Sequence, residues 1–301
     1  MTGKPKKLRP GDTIGVISPA GCVSKRALVK GLEVLESFGF KVCLTPHVYD
    51  RENYLAGSDE ARLSDFHEVF LDPNIKGVLC ARGGYGAMRL LPKVRYDLIA
   101  QNPKFLVGFS DITALLIAVH ARCGLITVHG PTVRSLGTGD LRSRESLLRL
   151  LTGGRPLSIP LEEGGCLFPG KATGPVIGGN LSLICHLMGT PYEPPLQGSI
   201  LFIEDCGEPL YRVDRMLTYL ALTGGLKKIS GIIVGTFDDS DGRLQVEELV
   251  KERLEDFRIR IPAATGLPIG HGETNLALPL GARAELDTES MTLTVTENCA
   301  G

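Results

Sequence analysis

The stretch Phe105-Leu-Val-Gly-Phe-Ser-Asp-Ile-Thr-Ala-Leu-Leu-Ile-Ala-Val-His120 decides the fold of the first half of the chain. Its opening apolar residues predict a short buried strand over 105–107, and the apolar sequence from Asp111 onwards predicts a helix. A tight turn carrying Ser110 joins the two, which is the arrangement of a nucleophile elbow. In such a turn the serine hydroxyl projects beyond the sheet, and the N–H of the next residue points to where an oxyanion would form.

Ser110 also has a simpler interpretation, because serine is a common residue at helix N-caps. Ile112 stands where the G-x-S-x-G pattern has its second glycine, so an ordinary α/β-hydrolase is not expected. A catalytic role for Ser110 therefore depends on partner residues elsewhere in the chain.

Apolar runs and helical periodicity alternate along the whole chain, which predicts an α/β fold with a mostly parallel sheet covered by helices on both faces. In the first half, strands are predicted over 13–17, 40–44, 75–81 and 105–107, with helices over 24–38 and 58–70. In the second half, strands are predicted over 199–205 and 229–234, helices over 212–222 and 246–257, and a β-hairpin over 282–296.

A change in composition divides the chain into two domains. Residues 1–150 are predicted to form an N-terminal domain with a mostly parallel sheet flanked by helices. Residues 151–173 are rich in glycine and proline and predict a linker. Residues 174–301 predict a smaller C-terminal α/β domain with a β-rich end. The active site is expected in a cleft between the two domains.

The overall charge argues for a small partner. Lys and Arg number 33 and Asp and Glu number 34, giving a formal charge of −1 that does not favour binding to nucleic acid or to a membrane surface. The eight cysteines contain no C-x-x-C pair, which predicts free thiols in a reducing compartment. The apolar run after the basic N-terminus is too short for a signal peptide, so a cytoplasmic protein with no membrane partner is expected. Its expected assembly is a homodimer.

A glycine-rich loop, Arg82-Gly-Gly-Tyr-Gly86, follows the third predicted strand. Its glycines permit positive φ and a close approach of the backbone to a ligand, as an oxyanion or carboxylate site requires. The alternative is a tight turn between strand and helix. A dinucleotide fingerprint is excluded, because its third glycine would have to stand where Arg89 is.

A serine nucleophile needs a base, and the base needs a carboxylate that orients it. His271 is flanked by glycines, so its ring could swing over a cleft, while His129 is a second candidate at the end of a predicted strand. Glu204 ends an apolar strand, with Asp205 and Glu208 as close competitors. The sequence contains no H-E-x-x-H or H-x-x-E zinc pattern, so neither a metal nor another cofactor is expected.

Taken together, these motifs resemble the LD-carboxypeptidase family of serine peptidases, and the resemblance covers nearly the whole chain. It is carried by Arg82-Gly-Gly-Tyr-Gly86, Val107-Gly-Phe-Ser-Asp-Ile-Thr113, Gly178-Gly-Asn-Leu181, Phe202-Ile-Glu-Asp-Cys-Gly-Glu-Pro209 with Tyr211-Arg-Val-Asp-Arg215, and Gly270-His-Gly272.

The resemblance implies an N-terminal domain carrying the nucleophile and a C-terminal domain carrying the glutamate and the histidine. By motif, Ser110 is the nucleophile, Glu204 the orienting carboxylate and His271 the base. The oxyanion hole is expected from Asp111 and Gly84, and substrate binding from Arg82, Gly83 and Tyr85.

The activity implied is removal of the terminal D-alanine from a muropeptide tetrapeptide, after the L-centre of a diamino acid, during cytoplasmic cell-wall recycling. The substrate is then a small peptide with a free C-terminal carboxylate, which Arg82 or Arg134 could bind in a bidentate manner.

Two other functions stay open. One branch of the family resembles the microcin C immunity peptidase, which cleaves aminoacyl-nucleotide amides and stacks the nucleobase on a tryptophan, whereas this chain contains no Trp. A non-catalytic, two-lobed binding protein would also fit two α/β domains, although such proteins are usually exported.

Overall fold

The computed structural model describes residues 3–153, 157–162, 164–238 and 243–301, which form two compact units. The first unit comprises Met1–Gly154, Leu276–Pro279 and Cys299–Gly301, and the second comprises Arg155–Asn275 and Leu280–Asn298. Each unit contains its own sheet with helices, so the predicted two-domain α/β fold class is confirmed. Among the described residues, no helix combines the length and apolarity needed to cross a membrane.

The first unit is built on a six-stranded sheet in the order β12-β5-β4-β3-β1-β2. Its strands are β1 (Thr13–Ile17), β2 (Lys41–Leu44), β3 (Ile75–Cys80), β4 (Phe105–Gly108), β5 (Thr127–His129) and β12 (Leu278–Leu280). Strands β1 to β5 pair in parallel, so the loops that follow β1, β2, β3 and β4 all leave the same edge of the sheet. That edge is where open α/β sheets bind ligands.

Helices of the first unit connect these strands. They are α1 (Lys25–Ser37), α2 (Asp59–Leu71), α3 (Ala87–Leu90), α4 (Tyr96–Gln101), α5 (Thr113–Cys123), α6 (Val133–Thr138) and α7 (Leu141–Leu151). Serine hydroxyls at Ser24 and Ser58 accept the N–H groups that open α1 and α2, which explains where these helices begin. Gly31 lies so close to α6 that an added Cβ would be 1.7 Å from the Val133 oxygen, so only glycine permits this helix contact.

The second unit is built on an eight-stranded sheet in the order β6-β14-β13-β8-β9-β10-β11-β7. Its strands are β6 (Ser158–Pro160), β7 (Cys166–Phe168), β8 (Lys171–Asn180), β9 (Ile200–Cys206), β10 (Gly231–Asp238), β11 (Ala263–Thr265), β13 (Arg283–Asp287) and β14 (Thr292–Val295). The central strands β8 to β11 are parallel, and the outer pairings are antiparallel. The helices are α8 (Leu181–Leu187), α9 (Leu210–Leu222), α10 (Gly225–Lys228) and α11 (Arg243–Asp256).

The structure differs from the prediction of a linker over 151–173. This segment contains β6, β7 and the start of β8, which belong to the sheet of the second unit. Edge strands of three residues are too short to show an alternating pattern, and the glycines and prolines around them conceal it further. Residues 154–156 and 163 of the predicted linker lie outside the described residues.

Candidate active site

Ser110 lies at the end of β4, in a short 3₁₀ turn (Ser110–Ile112) that leads into α5. Its φ of 64° is in the left-handed region, which is uncommon for a residue with a side chain and is concentrated at functional sites. The N-cap of α5 is Ile112, without a side-chain hydrogen bond, so Ser110 does not cap this helix. The strand, sharp turn and helix predicted around Ser110 are all present.

The glycine-rich loop packs directly against this serine. A Cβ added to Gly83 would lie 2.7 Å from the Cβ and 3.0 Å from the Oγ of Ser110, so a side chain at this position would collide with Ser110. Gly84, with φ of 116°, adopts a backbone conformation that side chains disfavour. The loop therefore brings main-chain groups next to Ser110, as an oxyanion site would require.

Asp111 anchors the start of the helix to the glycine loop. Its buried carboxylate accepts a hydrogen bond of 2.8 Å from the N–H of Ala87, the residue that follows the loop. Burial raises the pKa of Asp111 to about 6, against the opposing effects of the Ala87 hydrogen bond and the Arg62 charge. The Asp111 side chain thus links the start of the helix to the glycine loop. Its main-chain N–H is the group predicted to bind an oxyanion.

Arg62 also holds the glycine loop in place through hydrogen bonds, a role that the sequence did not indicate. Only 1% of this arginine of α2 is exposed. Its Nη1 donates to the carbonyl oxygens of Pro19 and Gly86 over 2.6 and 3.0 Å, and its Nη2 pairs with Asp59. A single buried guanidinium therefore joins the loops that follow β1 and β3.

In the second unit, His271 and Glu204 form a hydrogen-bonded pair. His271 Nδ1 lies 2.6 Å from Glu204 Oε2, and the Glu204 side chain at the end of β9 is fully buried. A Cβ added to Gly270 would lie 2.9 Å from the same carboxylate oxygen, which explains the glycine beside this histidine. The pair has the geometry of a base held by an orienting carboxylate.

Cys206 also contacts the His271 ring, a contact that the sequence motifs did not indicate. Burial lowers the pKa of His271, but hydrogen bonds to Cys206 and Glu204, with the charge of Glu204, raise it by more. The net pKa of His271 therefore lies above the ordinary value of 6.5. Cys206 itself is partly exposed at the end of β9.

The competing candidates have other partners in the structure. Asp205 accepts from Asn180 Nδ2 over 2.7 Å and from the Ser182 N–H over 2.9 Å, which fixes the start of α8. Glu208 forms an ion pair with Arg212 at 3.4 Å.

His129 is also placed away from solvent. It is fully buried in β5. Its ring packs edge-on against Phe109, with 6.0 Å between ring centroids. These surroundings favour a structural role for His129 and leave His271 as the stronger candidate for a base.

The predicted substrate-binding residues Arg82, Gly83 and Tyr85 belong to the glycine loop. Arg82 Nη1 donates to the Cys22 carbonyl oxygen over 3.2 Å, and Tyr85 is exposed and packs edge-on against Tyr54. Arg134 is exposed at the start of α6. Among the described residues, no group of three or more His, Cys, Asp or Glu side chains is arranged to bind a metal ion.

The structure thus contains two groups of predicted site residues. Ser110, Asp111 and the glycine loop come together in the first unit, and Glu204 and His271 in the second. Their joint action as one catalytic triad stays a prediction.

Both halves of the chain match one family. Residues 14–130 match the LD-carboxypeptidase N-terminal domain, and residues 173–286 match the LD-carboxypeptidase C-terminal domain. The chain belongs to the LD-carboxypeptidase family. The family resemblance stated from the motifs is therefore confirmed.

Several relatives of the chain are named as carboxypeptidases. The chain is 40% identical to a probable murein peptide carboxypeptidase of Bacillus subtilis, over 97% of this chain and 94% of the relative. It is 37% identical to a murein tetrapeptide carboxypeptidase of Pseudomonas aeruginosa, over 95% of this chain and 98% of the relative. Family membership and these similarities support a peptidase of the carboxypeptidase type.

Solved structures show the same fold. A muramoyltetrapeptide carboxypeptidase from Oxalobacter formigenes has a TM-score of 0.81 at 31% identity, covering 94% of this chain and 97% of that one. A MccF-like protein from Bacillus anthracis has a TM-score of 0.89 at 31% identity, covering 97% of this chain and 98% of that one.

Proposed function

We propose that this chain is a serine LD-carboxypeptidase that releases the terminal D-alanine from murein tetrapeptides, with Ser110, Glu204 and His271 as its catalytic triad. The observation that carries this proposal is the buried Glu204–His271 pair, with 2.6 Å between Oε2 and Nδ1. A carboxylate at Nδ1 keeps the other ring nitrogen available to exchange a proton with a serine. The murein peptide names of the relatives support the substrate class.

In the first half of the reaction, His271 takes the proton of the Ser110 hydroxyl as the oxygen attacks the carbonyl carbon before D-alanine. The N–H groups of Asp111 and Gly84 stabilise the resulting oxyanion. His271 then gives its proton to the amine nitrogen as the C–N bond breaks. D-Alanine leaves, and the shortened peptide is bound to Ser110 as an ester.

In the second half, a water molecule loses a proton to His271 and attacks the ester carbon. The bond to Ser110 Oγ breaks, and the serine oxygen recovers the proton from His271. Glu204 stabilises the positive charge that the imidazole carries during each half. The reaction needs water as its co-substrate and no cofactor.

The remaining parts of the proposal concern the setting of the enzyme. A role in cytoplasmic muropeptide recycling and a homodimeric assembly follow from the family resemblance. An arginine near the glycine loop, Arg82 or Arg134, is proposed to contact the free carboxylate of the substrate.

A second activity is favoured by the similarity to the MccF-like protein, namely cleavage of an aminoacyl-nucleotide amide. The absence of tryptophan from the sequence argues against the nucleobase stacking that this activity implies. A non-catalytic binding protein is the third possibility.

One set of assays separates these functions. The protein is incubated with a synthetic murein tetrapeptide, with an aspartyl sulfamoyl adenosine, and with a serine-directed phosphonate. The proposal expects release of D-alanine from the tetrapeptide and covalent labelling that Ser110→Ala prevents. Cleavage of the sulfamoyl adenosine alone would support the second activity, and a protein that is neither labelled nor active would be a binding protein.

A further inference from the structure

We propose that Tyr54 and Tyr85 form a saccharide subsite that binds the muramoyl sugar attached to the peptide substrate. The inference rests on the proposed function, because it requires a substrate in which a sugar precedes the peptide. A solved relative is named a muramoyltetrapeptide carboxypeptidase, and such a substrate contains both parts. We call the subsite formed by these two residues the tyrosine pair.

The tyrosine pair is exposed although both rings are large. Tyr54 is 61% exposed and Tyr85 is 54% exposed, so ring surface remains accessible to a ligand. The rings meet edge to face, with 5.6 Å between centroids and 70° between planes. The C–H groups of a sugar carry partial positive charge, and the negative face of an aromatic ring attracts such groups.

The tyrosine pair is fixed in place by main-chain hydrogen bonds among three loops. The Gly21 N–H donates to the Gly83 oxygen over 3.1 Å, which joins the loop after β1 to the loop that carries Tyr85. The Cys22 N–H donates to the Tyr54 oxygen over 3.1 Å, which joins the same loop to the other tyrosine. The main chain that carries both tyrosines is therefore held in place, and binding would not require their loops to become ordered.

The polar surroundings of Tyr54 suit a neutral, hydroxyl-rich ligand. A cavity of about 310 Å³ opens beside Tyr54, at the lower end of the range for ligand pockets, roughly 300–1,000 Å³. Its lining includes Glu52, Asn53, Asp59, Glu60 and Arg89. Carboxylate and amide oxygens accept hydrogen bonds from sugar hydroxyls. Asp59 pairs with Arg62 and Arg89, and Glu60 pairs with Lys93, so the lining carries little net charge, which suits a neutral ligand.

The position of the tyrosine pair matches the length of the peptide. Ser110 follows β4, Tyr85 follows β3, and Tyr54 lies in the loop after β2, at the same sheet edge. Strand β3 is next to β4, about 4.8 Å away, and the Tyr54 ring lies 5.6 Å from the Tyr85 ring. Three extended residues span about 10 Å, which is the same scale as these two steps taken together.

Arg82 lies on the same side of Ser110 as the tyrosine pair. Its guanidinium donates to the Cys22 carbonyl oxygen and lies beside Gly84, on the side of Ser110 where the sugar would bind. The carboxylate of the departing D-alanine belongs on the opposite side of the scissile bond. Arg82 then holds the loops of the tyrosine pair together, and of the two arginines proposed above Arg134 is the one expected to contact the carboxylate.

The test compares two substrates on four proteins. We measure kcat/KM for D-alanine release from N-acetylmuramoyl-tetrapeptide and from the free tetrapeptide. The proteins are the wild type, Tyr54→Ala, Tyr54→Phe and Tyr219→Ala, the last removing a tyrosine of α9 that is 40% exposed. The wild type should prefer the muramoyl substrate by roughly three- to tenfold, the range expected for an aromatic contact. Tyr54→Ala should lose this preference, while Tyr54→Phe and Tyr219→Ala should keep it.

A binding measurement separates failure of the subsite from failure of the proposed activity. Calorimetric titration with N-acetylmuramoyl-tripeptide and with free tripeptide does not depend on turnover. Equal affinities in the wild type, or a preference that survives Tyr54→Ala, would overturn the subsite even if D-alanine is released. Competition by adenosine monophosphate that Tyr54→Ala abolishes would assign the pair to a nucleobase instead. Absence of D-alanine release from both substrates would reject the proposed function, and equal titrations would then reject the subsite as well.

Discussion

The main-chain N–H of Ala87 donates to the Asp111 carboxylate over 2.8 Å, which joins the end of the glycine loop to the residue after Ser110. Arg62 contacts the same loop one residue earlier, at the Gly86 carbonyl oxygen. The position of the loop relative to Ser110 therefore depends on two buried charged groups. Neither group needs to touch the substrate to affect the reaction.

The first prediction concerns Arg62. Arg62→Met should remove the hydrogen bonds that the guanidinium donates to the Pro19 and Gly86 carbonyl oxygens and leave Asp59 without its buried partner, at a cost of about 3–5 kcal/mol in the free energy of unfolding. If the fold survives, kcat should fall more than KM changes, because the oxyanion groups would be displaced. Arg62→Lys should recover part of the stability.

Urea unfolding and steady-state kinetics on the three proteins measure both effects. Arg89→Met is the matched control, because it removes an exposed partner of the same Asp59. An Arg62→Met protein with normal stability and kcat would show that the loop does not depend on this guanidinium.

The second prediction concerns the backbone of Ser110. Its φ of 64° is unfavourable for a residue with a Cβ and easy for glycine. Ser110→Gly should therefore raise the free energy of unfolding by up to about 1 kcal/mol relative to Ser110→Ala, while both variants lose activity by several orders of magnitude. Thermal unfolding of the two variants compares the stabilities. Equal stabilities would contradict the strained turn, and an active Ser110→Ala protein would reject the nucleophile.

The sequence predicted those parts of the site that depend on the backbone conformation of a few neighbouring residues. The turn at Ser110, the glycine loop and the Gly270-His-Gly272 segment each need glycines or an abrupt change of periodicity at fixed positions. These glycines and changes of periodicity lie within a few neighbouring residues, so they can be recognised in a single sequence.

Contacts between distant segments could not be predicted in this way. Arg62 binds Pro19, which is 43 positions away in the chain, and an arginine within a helix ordinarily suggests a solvent-exposed side chain. Cys206 contacts His271 only because β9 ends beneath the Gly270 loop. The short strands within 151–173 were missed for a different reason, since three residues cannot display a period of two.

The third prediction concerns the substrate carboxylate. Amidation of the C-terminal carboxylate of the tetrapeptide should abolish D-alanine amide release, because a bidentate contact with an arginine would be lost. Arg134→Lys should weaken binding of the normal substrate, since an ammonium group cannot form that bidentate contact. Steady-state kinetics on both peptides measures these effects, with Arg95→Lys as an exposed control. Equal turnover of the amide would show that the enzyme does not recognise a free C-terminal carboxylate.

The last prediction concerns the pH dependence of the reaction. The proposed mechanism needs a neutral His271. Burial lowers the pKa of this histidine, but hydrogen bonds to Cys206 and Glu204 raise it by more. Activity should therefore rise with pH through a midpoint above 6.5. The stabilisation of the fold by protonated His271 has the opposite sign: it is complete below the unfolded pKa, about 6.5, and is lost as pH rises through the folded pKa.

Two substitutions at the partners of His271 make this prediction specific. Glu204→Gln and Cys206→Ala should each move the midpoint of the kcat/KM profile to lower pH, because each removes an interaction that favours the protonated ring. Glu204→Gln should also reduce the maximal rate, since the charge that stabilises the imidazolium is gone. Cys166→Ala, which alters an exposed cysteine of β7, is the control and should leave the profile unchanged. If the midpoint does not move in either variant, a group other than His271 controls the rate, and the proposed base is wrong.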